Sequence, residues 1–242
     1  MSRKLIVYSD DDFLIAHKGP KLLTTPVEGL KEESLLDVLH AEGHKVLPIH
    51  RLDRDTTGLV VFAKNENSKQ HLLKLFAARK VKKQYQALAQ GWVTPKSGEL
   101  NLSIRDLGPT ACIARSGKPA RTTYSTTRRV GPCSLLKIEI ETGRHNQIRL
   151  HFAHMGHPLV GERRFALAKW SLLSHRRVLL HASCLVIPRK RGAPDLVVNA
   201  PLPDDFTRRI QAAERIPCSQ DPGIMSSEGL YTTEQRQRQR WR

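Results

Sequence analysis

The densest group of reactive side chains in this 242-residue chain is the segment His50-Arg-Leu-Asp-Arg-Asp-Thr-Thr-Gly58. Arg51, Asp53, Arg54 and Asp55 crowd together immediately before the apolar run Leu59-Val-Val-Phe-Ala63. Loops carried on rigid strands are where catalytic groups collect. A carboxylate fixed in such a loop can stabilise positive charge that develops in a reaction, or add covalently to the reacting atom. The same residue types also read as a salt-bridged turn, and type alone does not separate Asp53 from Asp55.

Other constellations point to less. His151, His154 and His157 recur at intervals of three, and the first two would meet on a helix, but Gly156-His157-Pro158 breaks it. With no H-E-x-x-H motif and no carboxylate at a familiar spacing, no metal is expected. Neither G-x-x-x-x-G-K nor G-x-G-x-x-G occurs, and no cofactor is expected. Cys112, Cys133, Cys184 and Cys218 are far apart and form no C-x-x-C pair. They read as small buried residues or bystander thiols in a reducing cytoplasm.

The elements that must position the 50–58 segment follow from pattern. Apolar runs at 4–7 and 13–16 around Ser9-Asp-Asp-Asp12 predict a hairpin. Ser34-Leu-Leu-Asp37 has the form of a capping box, with Gly43 at the far end of the helix it starts. The run 59–63 predicts a strand buried on both faces. Asn67 is the expected cap of a helix carrying Leu72, Leu75 and Phe76. Tyr85, Ala87 and Ala89 alternate as in a strand. Leu136, Ile138 and Ile140 alternate with Lys137, Glu139 and Glu141 as a half-buried strand. After Thr142-Gly143, a helix is expected with Ile148, Phe152 and Met155 on one face and Gly156 as its stop. Strands are predicted at 178–180, 184–187 and 196–198. Many strands with few helices between them give an α+β class: a mixed, largely antiparallel β-sheet core with flanking helices and loops.

Lys and Arg total 40 against 23 acids, a net charge of +17. An excess of that size favours a polyanionic partner, of which nucleic acid is the usual one. Basic clusters lie at Arg79, Lys80, Lys82 and Lys83, at Arg163 and Arg164, at Arg176 and Arg177, and at 189–191; these suit phosphate contacts. Hydrophobic residues at 39% and charged residues at 26% suit a soluble globular protein. No apolar stretch approaches the ~18 residues that span a bilayer, and no signal peptide is visible. A cytoplasmic protein with no membrane partner is therefore expected, and a monomer is expected as well. The catalytic domain is expected over 1–215, with a basic, disordered tail over 216–242.

Four stretches, in order, carry a family resemblance. The segment 50–58 resembles the H-R-L-D-x-x-T-S-G signature of RluA-type pseudouridine synthases. Lys83-Gln-Tyr85-Gln-Ala87 resembles the K-x-Y-x-A strand of that family. Thr142-Gly-Arg-His-Asn-Gln-Ile-Arg149 resembles T-G-R-x-H-Q-I-R, and the following His151 to Gly161 continues as the family does. Leu180-His-Ala182 and Ala200-Pro-Leu-Pro203 resemble its closing strands. The resemblance runs from about Leu5 to Phe206. This chain departs from the pattern with Thr57 in place of Ser, Asn146 in place of His and Glu162 in place of the commoner Asp. The pattern begins almost at Met1, so the separate RNA-binding domain that precedes the catalytic domain in some relatives is expected to be missing.

The resemblance implies the pseudouridine synthase fold and an RNA-modifying isomerase acting on uridines of ribosomal or transfer RNA, in a loop or single strand. It implies Asp53 as the catalytic carboxylate, Arg149 as the cation paired with it, and Tyr85 as the active-site aromatic. A guanidinium suits such a pairing because it stays charged and offers two donors to one carboxylate. Ile148 then lies against the base, and Arg51 fills the space left by an extruded nucleotide. Arg54 and Thr57 complete the substrate-binding set, while Asp55 holds the loop. Pseudouridine formation breaks the N1–C1′ bond, turns the uracil and rejoins it through C5, building positive charge on the ribose as glycoside hydrolysis does. Two rival readings are a catalytically inactive RNA-binding protein of the same fold and a hydrolase that releases uracil.

Overall fold

The computed structural model describes residues 5–166, 172–189 and 193–218. The chain divides into two compact units, one of residues 1–84 and 181–202 and the other of 85–180 and 203–242.

In the first unit, β1 (Ile6–Ser9) and β2 (Phe13–Lys18) form the expected antiparallel hairpin. Its turn is held by Asp10, whose Oδ1 accepts from the backbone N–H groups of Asp12 and Phe13, both at 2.9 Å. Helix α1 (Leu35–Ala41) starts at Ser34, whose side chain accepts from the backbone N–H of Asp37 while the Asp37 carboxylate accepts from that of Ser34. This is the capping box read from the sequence. After the short β3 (Leu47–Pro48), β4 (Thr57–Ala63) is buried at every position. It pairs antiparallel with β2 and β3.

Helix α2 (Glu66–Ala77) is capped by Asn65, whose side chain accepts from the backbone N–H of Ser68 at 2.8 Å. Asn67, the expected cap, lies inside the helix. Both residues are asparagines, and the one that can reach the third amide of the helix fixes the start. Strand β11 (Leu180–Ile187) runs parallel to β4, with His181 opposite Thr57 and Ala182 opposite Gly58. It pairs antiparallel with β12 (Leu196–Asn199). The two strands expected at 178–180 and 184–187 are thus largely one, because the polar-looking link His181-Ala-Ser183 is itself buried. Ile15, Leu59, Val61, Leu72, Leu185 and Ile187 form this unit's core.

The second unit holds β5 (Lys82–Gln90) from Tyr85 onward, then β6 (Ser97–Asn101) and the hairpin of β7 (Ile104–Asp106) and β8 (Ala111–Ile113). Strands β9 (Arg121–Val130) and β10 (Cys133–Ile140) pair antiparallel, with an irregular register between Leu135 and Leu136, and β6 pairs with β9. Leu136, Ile138 and Ile140 face inward and Lys137 outward, as their alternation predicts. Helix α3 (Gln147–His154) follows, and α4 (Asp204–Glu214) comes near the end. Gly156, with φ +85°, stands just past α3 where its stop is expected. Among the described residues no helix is long and apolar enough to cross a membrane.

The mixed sheet with few helices matches the α+β expectation. Cys112, Cys133 and Cys184 are buried cysteines outside any disulfide, and burial pushes the Cys133 thiol up to about 12. The tail from Ser219 onward, with Lys190 and Arg191, lies outside the described residues.

Candidate active site

Residues 50–56 form a loop between β3 and β4, and side chains from outside it hold its backbone. Thr24 Oγ1 donates to the carbonyl of Leu52 and accepts from its N–H, both at 3.0 Å, while the Leu52 side chain is buried. Lys18 is a fully buried lysine at the end of β2. Its Nζ donates to the carbonyls of Gly19 (3.1 Å), Leu22 (2.7 Å) and Arg54 (2.8 Å). A buried ammonium is tolerated only with its donors engaged, and here they bind two loops to one strand end. Within the loop, the N–H of Thr56 donates to the carbonyl of Asp53 at 3.0 Å, closing a turn at the carboxylate-bearing residue. Asp53 and Asp55 are both half-buried.

His50 starts the loop. Its Nε2 accepts from the N–H of Val61 at 3.1 Å, and its ring stacks on Phe76 with centroids 5.0 Å apart. Burial and then the nearby Lys83 charge lower its pKa to about 3, which keeps the ring neutral and its nitrogen an acceptor. At the far end, Thr57 is fully buried, with Oγ1 2.9 Å from His181 Nδ1. Gly58 has φ +116°, and a Cβ there would stand 2.2 Å from the carbonyl oxygen of Ala182. The parallel approach of β11 to β4 therefore requires glycine. Arg51 and Arg54 are exposed. Arg54 Nε pairs with Glu32, a residue outside the segment, at 2.6 Å.

The other motif residues lie in the second unit. Tyr85 is buried near the start of β5, 6% exposed. Ile148 and Arg149 are neighbours in the first turn of α3, and Ile148 is buried. The polar members of the same motif fix where that turn begins. Thr142 Oγ1 accepts from the N–H of Arg121 at 3.0 Å and donates to Gln147 Oε1 at 2.7 Å. Gln147 Oε1 also accepts from the N–H of Arg144 at 3.0 Å, and its Nε2 donates to the Arg121 carbonyl and to Thr122 Oγ1, both at 2.9 Å. Gln147 is thus a complete hydrogen-bonding hub tying α3 to β9.

Arg149 is held on three sides. Nε and Nη2 donate to the two oxygens of Glu162 at 2.7 and 3.0 Å, Nη1 donates to Asn146 Oδ1 at 2.6 Å, and the guanidinium lies 5.0 Å from the Phe165 ring centroid. The Arg149 side chain is 13% exposed and that of Glu162 fully buried. Glu162 also accepts from the N–H groups of Arg164 (2.7 Å) and Phe165 (3.2 Å). Burial alone would raise its pKa. The Arg149 hydrogen bonds and charge, with the two backbone donors, outweigh that and hold the carboxyl below the usual range. Gly161, with φ +86°, makes the sharp entry to this residue; a Cβ would meet the Arg177 carbonyl oxygen at 1.8 Å.

Asn146 adopts the left-handed conformation, φ 54°, just before α3, where asparagine is among the few non-glycine residues at ease. Its amide oxygen takes Arg149, so this departure from the family pattern contributes directly to the arginine's support. Glu162 is the missed residue of consequence. It was visible only as one of the three departures, with no signal of its partner.

Of the three histidines spaced at intervals of three, His151 and His157 are fully buried and His154 is exposed. His151 is fully buried, and burial first among other causes lowers its pKa to about 4. His157 has Nδ1 2.9 Å from the Gln90 carbonyl oxygen. Arg177, grouped with the phosphate-facing cations, is buried and bound through Nε and Nη2 to both oxygens of Asp205, at 2.7 and 2.9 Å. Arg164 donates to the Pro109 carbonyl at 2.8 Å.

The model of the RNA pseudouridylate synthase family matches residues 12–154, a span that contains Asp53, Tyr85 and Arg149. The ribosomal large subunit pseudouridine synthase D of Haemophilus ducreyi is 34% identical over 228 residues, covering 86% of this chain and 70% of that protein. The protein of the same name from Blochmanniella floridana is 32% identical over 228 residues, covering 85% and 71%. Among solved structures, human RNA Pseudouridylate Synthase Domain Containing 4 superposes with a TM-score of 0.71 at 21% identity, covering 89% of this chain and 94% of that one. Human RNA Pseudouridylate Synthase Domain Containing 1 gives 0.70 at 25% identity, covering 90% and 96%.

Proposed function

This chain belongs to the RNA pseudouridylate synthase family, and from that premise we propose that it isomerises specific uridines of RNA to pseudouridine, with Asp53 as the reacting carboxylate. The names of its relatives favour large-subunit ribosomal RNA over transfer RNA as the substrate. The observation that carries the reading is the position of Asp53: it sits at a turn whose flanking carbonyls are pinned by Thr24 and Lys18, directly before a strand buried at every position. Such anchoring places a carboxylate without motion at the moment of reaction.

The target nucleotide leaves its stack to meet the protein, at a cost of a few kcal/mol that is least in loops and single strands. The N1–C1′ bond breaks, the uracil turns, C5 bonds to C1′ and gives up its proton, and N1 gains one. No atom is added or lost, so the reaction needs no cofactor. Asp53 meets the positive charge that builds on the ribose. Tyr85 stacks on the uracil, Ile148 packs against it, and Arg149, held by Glu162 and Asn146, contributes its positive charge. Arg51 occupies the vacated stack. Arg54 and Thr57 shape the substrate loop, Thr57 through its bond to His181. The protein acts as a monomer in the cytoplasm.

The test is to incubate the purified chain with in vitro transcribed large-subunit ribosomal RNA and transfer RNAs and to map both pseudouridine and abasic sites. Pseudouridine without abasic sites is expected, and Asp53→Asn abolishes it. Abasic sites would mean a hydrolase. Loss of activity in Asp55→Ala with retention in Asp53→Ala would overturn the assignment.

A further inference from the structure

The second unit carries a concavity of about 520 Å³, formed by Arg163, the 174–176 segment and the exposed side of α4. Its charge is one-sided. Arg163, Arg176, Arg208 and Arg209 all line it, and the carboxylate among them, Asp205, is already committed through both oxygens to the buried Arg177. Arg163 Nη2 donates to a neutral acceptor, the carbonyl of His175, at 3.3 Å. Arg209 Nε is buried and has no hydrogen-bond partner among the described residues. Buried donors are rarely left unmatched, and an orphaned one asks for an acceptor that arrives with a ligand.

We propose that this concavity is a phosphate-binding site that grips the backbone of the RNA substrate at a point separate from the target uridine. The ligand class follows from the donors. Guanidinium groups present planar pairs of N–H donors that match phosphate oxygens. Among the described lining residues no acid is uncommitted, which leaves a surplus of four cations there. An open concavity of this kind suits a chain of phosphates, whose contacts position the RNA without reading its bases. The site rests on the RNA-modifying reading above, and adds to it a second anchor that selects substrates by backbone path.

The experiment measures the affinity of the full chain for deproteinised large-subunit ribosomal RNA across a series of KCl concentrations, with circular dichroism as the fold control. Each phosphate contact contributes about 0.7–0.9 to the slope of log affinity against log salt. Arg176→Gln/Arg208→Gln is expected to lower that slope by about 1.4–1.8, and Arg176→Lys/Arg208→Lys to restore most of it. The control Lys96→Gln/Arg115→Gln, which removes the same charge from exposed positions elsewhere, is expected to leave the slope as it is. An unchanged slope in the first variant, or an equal fall in the control, overturns the proposal. So does saturable binding of inorganic phosphate at this site without any effect of the variant on RNA, which would make it a small-anion site. If the wild-type chain makes no pseudouridine yet the slope still falls, the isomerase reading fails and the phosphate site stands.

Discussion

Replacing Glu162 by Gln removes one charge from a buried pair and leaves the shape nearly unchanged. Breaking a buried ion pair by deleting one partner costs about 3–5 kcal/mol, because the remaining charge stays buried without compensation. Arg149 keeps the Asn146 amide oxygen and a side chain 13% exposed, and glutamine offers one oxygen for the bonds that Glu162 makes to the arginine and to the amides of Arg164 and Phe165. The expected cost is therefore below that range, about 2–3 kcal/mol at pH 7, and about 3–5 kcal/mol for Glu162→Ala. For a chain of this length, 2–3 kcal/mol is a fall in Tm of roughly 4–12 °C.

The pH dependence has a definite sign. The Glu162 carboxyl is held below its ordinary value in the fold, so its contribution is complete above the unfolded carboxylate range, near pH ~4.3, and is lost as the pH falls below that through the depressed folded value. Urea midpoints of the wild type and Glu162→Gln should thus differ fully at pH 7 and converge below about pH 4. Glu162→Gln/Arg149→Met, in which no unpaired charge remains, should be no less stable than Glu162→Gln alone. A cost under about 0.5 kcal/mol at pH 7, or a gap that persists unchanged in acid, would refute the reasoning.

Lys18→Met strands carbonyls of Gly19, Leu22 and Arg54 in the interior; urea unfolding should show a loss of about 2–4 kcal/mol, and pseudouridine formation should fall with it. Gly58→Ala forces a Cβ onto the backbone of Ala182 at a positive φ and is expected to cost at least about 3 kcal/mol or to prevent soluble expression. His50 and His151 are neutral in the fold, with pKa values lowered to about 3 and about 4. The unfolded chain takes up protons near pH ~6.5 that the fold refuses, so stability should decline from there to about pH 4 by up to about 1.4 kcal/mol per pH unit for each histidine. In His50→Asn the slope of stability against pH over that window should be shallower, and an unchanged slope would contradict it.

Much of the frame was legible because the signals are local. The capping box at Ser34 needs only four consecutive residues, and the alternation of Leu136, Ile138 and Ile140 reports its own buried face. The Asn65 cap was misplaced by two positions for the opposite reason: two like residues offered the same local signal, and the helix start was settled by which one met Ser68. The continuity of β11 depends on His181 finding Thr57, a partner 124 residues away, and no window of sequence contains both. Motif types marked Asp53, Tyr85 and Arg149, yet the supports of these elements were hidden. Lysine is the residue least expected inside, so Lys18 carried no sign of its anchoring role. Arg177 counted as a surface cation until Asp205, 28 residues on, neutralised it. Pairings of this kind are properties of the fold rather than of spacing.

The asparagine at position 146 has a consequence for how acidity reaches the guanidinium beside it. An imidazole in that place would change its charge near neutrality and push on the neighbouring guanidinium as it did so. An amide has no proton to gain or lose across the habitable range, so Arg149 keeps one orientation whether the surroundings are mildly sour or mildly alkaline. Any bend in a rate profile near pH 6 must then originate elsewhere in the molecule or in the RNA.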